Sequence, residues 1–182
     1  IAIICTPIWL YFGKVRPINQ INLDEAAKIK EIVLKTAQSD SLSYFGTRLD
    51  KSVIWSESHT AGLSYRVQSG VLLVSGDPFG HFSLWSEVID KTIELAQEYA
   101  WTLAVMGCGE RAGELWIEKG EKLFYTRRGP KNASLERCDF GQGPGKIEGA
   151  AVKLPRYFPD TDNVQDLESR LLTCMVQLQG FD

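Results

Sequence analysis

Residues Val71–Gly80, which read VLLVSGDPFG, decide the fold of this chain. The first five residues form an apolar run with the length of a buried strand. The GDPFG stretch that follows is a dense cluster of residues that end regular structure. An amphipathic helix is predicted next, from Ser83 to Tyr99. A buried strand that leads through a breaker loop into a helix is the first half of a βαβ unit, which favours an α/β fold.

The pattern extends in both directions from this stretch. An amphipathic helix is predicted upstream at Asn22–Gln38, with Asn22 as N-cap and Glu25 at the third helical position. The other predicted elements are the strands Ser43–Thr47, Ser52–Ser56, Ala61–Val67 and Trp101–Met106 and the helix Glu110–Lys119. The order α-β-β-β-β-α-β-α, with neighbouring antiparallel strands before a βαβ step, predicts a mixed sheet with helices on its faces.

Composition excludes several classes of protein. The chain has 182 residues, 44% hydrophobic and 24% charged, so wholesale disorder is excluded. The net charge of −3 excludes a generally basic nucleic-acid coat, although a local basic patch stays possible. Four widely spaced cysteines and two histidines do not favour a zinc cluster or a dense disulfide scaffold. Reduced thiols, as in the cytosol, are therefore expected.

The first thirteen residues, Ile1–Gly13, carry no charge and end in an aromatic cluster, with Lys14 and Arg16 directly after it. Thirteen residues are too few to cross a bilayer, which takes about 20 in a helix. Interfacial aromatics followed by cations are typical of the cytoplasmic end of a transmembrane helix. We therefore expect residues 1–13 to be the last part of such a helix. The alternative is a buried segment at the start of a domain.

The loop at 76–80 is the best candidate for a functional site. A loop between a buried strand and a helix places backbone amides and a carboxylate at the sheet edge, where α/β folds bind ligands. Asp77 is suited to bind an amine, to orient a hydroxyl or to act as a base, and His81 is an acid or base candidate beside it. The alternative is an Asp-Pro turn that merely starts the following helix.

Several motifs together resemble the start of the cytosolic domain of phosphatidylglycerol lysyltransferases, the lysyl-phosphatidylglycerol synthases. The resemblance covers about Arg16 to Gly120 and is closest to the actinobacterial type, in which the module can be fused to a lysyl-tRNA synthetase. The motifs are Ser41–Phe45, Asp50–Ser56, Ser64–Val67, Gly70–Gly80 and Ala104–Cys108.

This resemblance implies a membrane-embedded part followed by two GNAT-like (acetyltransferase-like) folds, of which residues 14–120 would be the first. It implies transfer of lysine from lysyl-tRNA to phosphatidylglycerol at the cytoplasmic face of the cell membrane, without a metal or acetyl-CoA. Lysyl-tRNA, anionic phospholipid and a fused or partner lysyl-tRNA synthetase domain are the implied partners. Asp77 and His81 are then the catalytic candidates, and the substrate-binding candidates are Gly76, Gly80, Tyr44 and Arg66.

The chain departs from the family pattern after Gly120. The family leads us to expect an Arg-rich helix and a second GNAT-like fold, but residues 121–182 are rich in Gly and Pro, with one helix predicted at about Val164–Gln179. A shifted reading frame would explain an irregular tail. We therefore expect partial disorder after Gly120 and no transferase activity from this stretch of chain alone.

Two other functions fit parts of the sequence. One is a non-catalytic GNAT-like module that binds tRNA or anionic lipid. The other is an acyl-CoA-dependent acetyltransferase, which calls for a Gly-rich pyrophosphate loop that Gly107–Gly113 matches poorly.

Overall fold

The computed structural model describes residues 20–36 and 41–181. The chain divides after Trp116 into two compact units. The first unit contains helix α1 (Leu23–Lys35), strands β1 (Ser52–Trp55), β2 (Ala61–Gln68), β3 (Val71–Ser75) and β4 (Phe79–Gly80), helix α2 (Trp85–Glu98), strand β5 (Thr102–Met106) and the start of helix α3 (Glu110–Tyr125).

The sheet of the first unit is mixed. Its strands lie in the order β1-β2-β3-β5, and the short β4 pairs with β2. The β1–β2, β2–β3 and β2–β4 pairs are antiparallel, whereas β3 and β5 are parallel, with Leu73 opposite Ala104. The predicted α/β class, with a mixed sheet flanked by helices, is confirmed.

The main core lies between one face of this sheet and α2. Side chains alternate along β3, so that Leu72 and Val74 are fully buried while their neighbours are half-buried. They pack with Val88 and Ile89 of α2, which lie on the apolar face that its helical periodicity predicts. A smaller cluster packs α1 beside Phe79 of β4.

Helix α1 begins as predicted. The Asn22 side chain accepts a hydrogen bond of 2.8 Å from the Glu25 amide, and the Glu25 carboxylate accepts one of 3.4 Å from the Asn22 amide. This reciprocal pair is a capping box, which satisfies two amides that the first helical turn leaves without partners.

One predicted strand is wrong. Ser43–Thr47 lies inside a 3₁₀-helix, Ser41–Thr47, in which the Thr47 hydroxyl donates to the Tyr44 carbonyl oxygen at 2.8 Å. Alternating polar and aromatic residues suggested a strand, but Gly46 and these local side-chain bonds allow a tight turn instead. The helix predicted at Glu110–Lys119 is correct in place and extends to Tyr125.

The second unit has a small core of its own around Leu135, Phe140 and Ala150. Its regular elements are the hairpin β6 (Arg156–Phe158) and β7 (Asn163–Gln165), helix α4 (Leu167–Cys174) and a π-helical turn, Met175–Gln179. The helix predicted at 164–179 is present in shorter form, because the Asp166 side chain caps α4 by accepting from the Ser169 amide at 2.8 Å.

The expectation of reduced thiols is wrong for two of the four cysteines. Cys138 and Cys174 form a disulfide that closes a separation of 36 residues, and both are buried in the second unit's core. Their spacing in sequence gave no sign of it, because only the fold brings them together. Cys108, in contrast, is free and exposed.

The predicted end of a transmembrane helix, residues 1–13, lies outside the described residues. Within residues 20–36 and 41–181, none of the helices combines the length and the hydropathy that crossing a membrane requires.

Candidate functional site

Asp77 joins two loops at the carboxyl ends of the parallel strands. Its carboxylate accepts a hydrogen bond of 2.6 Å from the Gly109 amide, and the Gly109 carbonyl accepts the first bond of α3, from Gly113. The negative charge therefore lies at the N-terminus of α3, where the helix dipole stabilises it. A Cβ on residue 109 would lie 2.9 Å from a carboxylate oxygen of Asp77, so a larger residue there would displace that side chain. The Asp-Pro turn thus has a structural role whatever its chemistry.

Gly76 lies beside the same strand ends. Its amide donates to the Met106 carbonyl oxygen at 2.9 Å, which extends the β3–β5 pairing by one bond. Its φ of +82° is a left-handed conformation that glycine adopts without strain. The chain therefore turns sharply away after β3 and leaves an open space at the sheet edge.

This space is a cavity of about 400 Å³, which we call the sheet-edge cavity. Strand residues from β3 and β5 form one side, and the segment before β1 forms the other. The lining residues are Phe45, Arg48, Asp50, Lys51, Arg66, Leu73, Ser75, Gly76, Met106 and Gly107. The cavity wall at the strand ends is mainly apolar, and Met106 is largely exposed there. The wall on the other side is positively charged.

The charges of the sheet-edge cavity are not balanced. Asp50 pairs with Arg48 at 2.9 Å and with Arg66 at 3.1 Å, so that one carboxylate faces two guanidinium groups. The hydrogen bond from Arg48 lowers the pKa of Asp50, which keeps the carboxyl ionised. Lys51 adds a third cation. Burial, assisted by the charge of Arg48, lowers the pKa of Lys51, and the opposing attraction of Asp50 is the smaller effect.

A second cavity of about 590 Å³ in the first unit, the histidine cavity, lies between α1, the turn before β2 and the residues after β4. Both predicted residues Gly80 and His81 line it. Gly80 has a φ of +89° and is paired with Ala61 of β2, and the His81 side chain is exposed and caps no helix. The residues that line it are Lys28, Glu31, Ile32, Lys35, Thr36, His59, Thr60, Gly80, His81, Phe82 and Trp85.

The predicted site residues therefore divide between two places. Gly76 and Arg66 line the sheet-edge cavity, whereas Gly80 and His81 line the histidine cavity. Tyr44 lies on the 3₁₀-helix next to Phe45, and its side chain is about half exposed. The catalytic roles of Asp77 and His81 stay predictions.

Sequence reasoning missed three residues of the sheet-edge cavity: Arg48, Asp50 and Lys51. All three precede β1, in a segment where charged residues suggested only a turn. The RLDK order at 48–51 was the available signal, since it places charged residues of both signs directly before β1. That Arg66 of β2 completes the group follows from the β1–β2 register, which places Ser52 opposite Tyr65.

We expect Asp77→Asn to lower the free energy of unfolding of the first unit by about 1 kcal/mol, because the neutral amide weakens both the bond to Gly109 and the interaction with the helix dipole. Denaturant unfolding would measure the change. Glu114→Gln, on the exposed side of α3, is the matched control and should change stability by less than about 0.5 kcal/mol. An equal effect of both variants would contradict a specific role for Asp77.

Comparison with known proteins identifies relatives whose similarity extends from the first unit into the second. A family model described as the C-terminal part of phosphatidylglycerol lysyltransferase matches residues 30–146. The lysylphosphatidylglycerol biosynthesis bifunctional protein LysX of Mycobacterium ulcerans is 38% identical over 120 residues, and that of Rhodococcus jostii is 35% identical over 166 residues. These matches cover 66% and 86% of this chain but only 11% and 15% of the relatives. L-PGS from Bacillus licheniformis is a solved structure with a TM-score of 0.47 and 20% identity, over 52% of this chain and 29% of that one.

The end of the chain has a second similarity, which overlaps the first at residues 119–146. A family model described as the cytochrome c domain of SoxA/TsdA matches residues 119–182. The L-cysteine S-thiosulfotransferase subunit SoxA of Hydrogenophilus thermoluteolus is 62% identical over 69 residues, which is 38% of this chain and 25% of that protein.

The residues of this second part do not fit a c-type haem. Covalent attachment uses a C-x-x-C-H motif, and an axial ligand is commonly a histidine. Both histidines of the chain, His59 and His81, precede residue 119, and the two cysteines of the second unit are bonded to each other. We therefore assign no haem chemistry to this unit.

Proposed function

This chain belongs to the phosphatidylglycerol lysyltransferase family, and from that premise we propose that its first unit takes part in the transfer of lysine from lysyl-tRNA to phosphatidylglycerol. The relatives are lysylphosphatidylglycerol biosynthesis proteins, which supports the general activity. The lysyl-tRNA donor, a fused or partner synthetase domain and action at the cytoplasmic face of the cell membrane are parts of this proposal. The assignment of residues 1–13 to the end of a transmembrane helix is also part of this proposal.

The observation that carries the proposal is the excess of positive charge in the sheet-edge cavity. Arg48, Lys51 and Arg66 surround one carboxylate, Asp50, next to an apolar wall at the strand ends. A phosphodiester with apolar neighbours, such as a phospholipid headgroup, complements both features. An anion there would also favour the charged form of the buried Lys51.

The proposed reaction is acyl transfer from an activated ester to a glycerol hydroxyl. It requires that the two substrates be held in reacting geometry and that the developing negative charge be stabilised. We propose that the sheet-edge cavity holds the acceptor by its phosphate. Asp77 fixes the start of α3 through Gly109 and so sets the spacing of the loops at the end of the sheet. Binding of the lysyl group is left to parts of the enzyme beyond these residues.

We propose that residues 119–182 are a module of separate origin joined to the first. A shifted reading frame produces an unrelated amino-acid order, and such an order would not be 62% identical to a natural protein over 69 residues. The core and disulfide of the second unit support the same proposal. Partial protease resistance of this unit, with cleavage confined to irregular loops, is the behaviour expected of a folded module.

The proposed phosphate site can be tested by binding of the chain to phospholipid vesicles. We expect Arg66→Gln to weaken binding to vesicles of mixed phosphatidylglycerol and phosphatidylcholine about fivefold, since one cation near an anionic surface contributes about 1 kcal/mol. Sedimentation at physiological ionic strength measures the partition. Lys30→Gln, an exposed lysine of α1 outside both cavities, is the matched control.

Two outcomes would contradict the proposed site: an equal loss with Lys30→Gln, or equal binding of the unmodified chain to vesicles of phosphatidylcholine alone. Transfer itself is measured with labelled lysyl-tRNA and the same vesicles. We expect this 182-residue chain alone to form no lysyl-phosphatidylglycerol. Binding without transfer would also be expected of the non-catalytic lipid-binding function. Lysine transfer by full-length relatives, with and without the substitution that corresponds to Arg66→Gln, distinguishes the two functions.

A further inference from the structure

Lys51 is a buried lysine in the wall of the sheet-edge cavity. Only 7% of the residue is exposed, although lysine is rarely covered to this extent unless its ammonium is paired. Its backbone is fixed on both sides, because its amide donates to the Arg48 carbonyl oxygen at 3.2 Å and its carbonyl accepts from the Ile21 amide at 2.9 Å. The segment that leads into β1 therefore holds this side chain at the cavity.

The one carboxylate that lines the cavity is engaged by two guanidinium groups. Asp50 accepts hydrogen bonds from Arg48 at 2.9 and 3.1 Å and from Arg66 at 3.1 Å. Within residues 20–36 and 41–181, no hydrogen bond or salt bridge joins the Lys51 ammonium to another side chain. Asp50 thus attracts the ammonium through space without holding it, and the nitrogen of Lys51 stays available for chemistry.

The environment of Lys51 increases the share of its side chain that is neutral near pH 8. Burial, followed by the charge of Arg48, lowers the pKa of the ammonium, and Asp50 opposes this with a smaller effect. Only the neutral amine has the free electron pair that attacks a carbonyl carbon. Arg48, Asp50 and Arg66 are the charged groups that line the cavity with this amine, and none of them changes charge near pH 8. The cavity therefore contains a nucleophile that the proposed transfer does not use.

The same cavity can position an activated acyl group beside this amine. Arg48 and Arg66 present guanidinium groups, which bind phosphate through charge-assisted hydrogen bonds. The apolar wall, with Leu73 and Met106, suits a short acyl chain, and a volume of about 400 Å³ is enough for a small ligand. An acyl phosphate combines the two features that this arrangement requires, an anionic phosphate and an activated carbonyl carbon.

We propose that Lys51 is an acylation site, which is modified by acyl phosphates that bind in the sheet-edge cavity. The neutral amine nitrogen attacks the carbonyl carbon, a C–N bond forms, and the C–O bond to the phosphate breaks. The phosphate leaves with that electron pair, stabilised by the guanidinium groups of Arg48 and Arg66, and a proton of the amine passes to water. The products are an uncharged amide at Lys51 and inorganic phosphate.

Acylation changes the charge of the cavity. Two guanidinium groups then face the Asp50 carboxylate in place of three cations. The acylated chain should therefore bind anionic phospholipid severalfold more weakly, a consequence that rests on the proposed phosphate site. Acylation itself does not depend on lipid binding, so the two proposals can fail separately.

The test measures acetylation of each lysine of the full 182-residue chain by acetyl phosphate at pH 8, with peptide mass spectrometry. Lys51 should react about fivefold faster than Lys30, an exposed lysine of α1 outside both cavities, because the bound reagent is held beside its target. Excess inorganic phosphate should remove most of this difference. Three results would overturn the acylation site: equal rates at the two lysines, no slowing of Lys51 by phosphate, or a preference that persists in urea.

Arg66→Gln separates binding of the phosphate from simple access to the amine. With acetyl phosphate, the variant should acetylate Lys51 about fivefold more slowly, since one charge-assisted hydrogen bond to the phosphate is lost. N-hydroxysuccinimidyl acetate, an uncharged acetyl donor, should react with Lys51 at the same rate in both chains. An equal loss with both donors would overturn the binding of the reagent by its phosphate. Lys51→Arg keeps the charge without the amine and should leave acetylation of Lys30 unchanged.

Vesicle binding measures the effect of acylation on the cavity. Partition onto vesicles of phosphatidylglycerol and phosphatidylcholine should weaken about fivefold after treatment with acetyl phosphate, as the loss of one cation predicts. The Lys51→Arg chain, treated in the same way, is the control for the other lysines, and an equal loss in that variant would overturn the effect assigned to Lys51. An unmodified chain without preference for phosphatidylglycerol contradicts the proposed function, whereas a Lys51 without preferential acetylation contradicts the present inference.

Discussion

Reduction of the Cys138–Cys174 disulfide is expected to lower the free energy of unfolding of the second unit by about 4 kcal/mol. The bond closes a separation of 36 residues, and the entropy that such a cross-link removes from the unfolded chain accounts for a stabilisation of this size. The measurement is denaturant unfolding of the chain with and without a thiol reductant. The same unfolding is then measured for the double variant Cys138→Ala and Cys174→Ala.

The free cysteine provides the control for this experiment. Cys108 is exposed and lies in the first unit, so Cys108→Ser should leave the unfolding of the second unit unchanged in either redox condition. A loss below about 1 kcal/mol in the double variant would show that the core around Leu135 and Phe140 holds the unit without the cross-link.

The disulfide also bears on the proposed location. Disulfides persist in oxidising compartments, whereas transfer from lysyl-tRNA belongs to the cytosol, where thiols are kept reduced. A loss of about 4 kcal/mol is a large share of the stability of a small domain. Where thiols are kept reduced, we therefore expect the second unit to lose much of its stability, whereas the stability of the first unit stays unchanged. Thiol labelling of Cys138 in cells would measure this.

The substitution Gly80→Ala is expected to have the second large effect. It should lower the free energy of unfolding of the first unit by about 4 kcal/mol. Residue 80 has a φ of +89°, and an added Cβ would collide with the Thr60 carbonyl oxygen and lie 2.7 Å from the Ala61 Cα. The left-handed backbone costs about 1 to 2 kcal/mol for an L-residue, and overpacking against a strand adds a similar or larger amount. We expect β4 to detach from β2 and the histidine cavity to open.

Gly70→Ala isolates the steric part of that effect. Gly70 has nearly the same backbone, with a φ of +81°, but no atom lies within 4 Å of the Cβ it would gain. Gly70→Ala should therefore lower the free energy of unfolding by about 1 kcal/mol, from the left-handed conformation alone. Thermal unfolding of both variants gives the comparison. Equal losses would mean that the contact between β4 and Thr60 relaxes without cost.

The sheet was predictable because its pattern is local. The apolar run at 71–75 and the breaker residues after it define β3 and the turn, and the capping pair at Asn22 and Glu25 defines the start of α1. The 3₁₀-helix at Ser41–Thr47 was mistaken for a strand because alternation over five residues does not distinguish a half-buried strand from a tight turn.

The candidate sites were less predictable, since each depends on residues that meet only in the fold. The loop at 76–80 was identified, but its two ends face different cavities, with Gly76 at one and Gly80 at the other. The cations before β1 could be assigned to a site only after the β1–β2 register had placed Arg66 beside Asp50. The pairing of Cys138 with Cys174 depends in the same way on the packing of α4.

The parallel pairing of β3 with β5 has a consequence for the order in which the first unit folds. The β1–β2–β3 hairpins join neighbours in sequence, so little chain entropy is lost when they form. Strand β5 can pair with β3 only after the intervening chain, including α2, has closed a much longer loop. It should therefore join the sheet late, after the rate-limiting barrier. Substitutions in β5 would then accelerate unfolding while leaving the folding rate almost unchanged, whereas substitutions in β2 would slow folding itself.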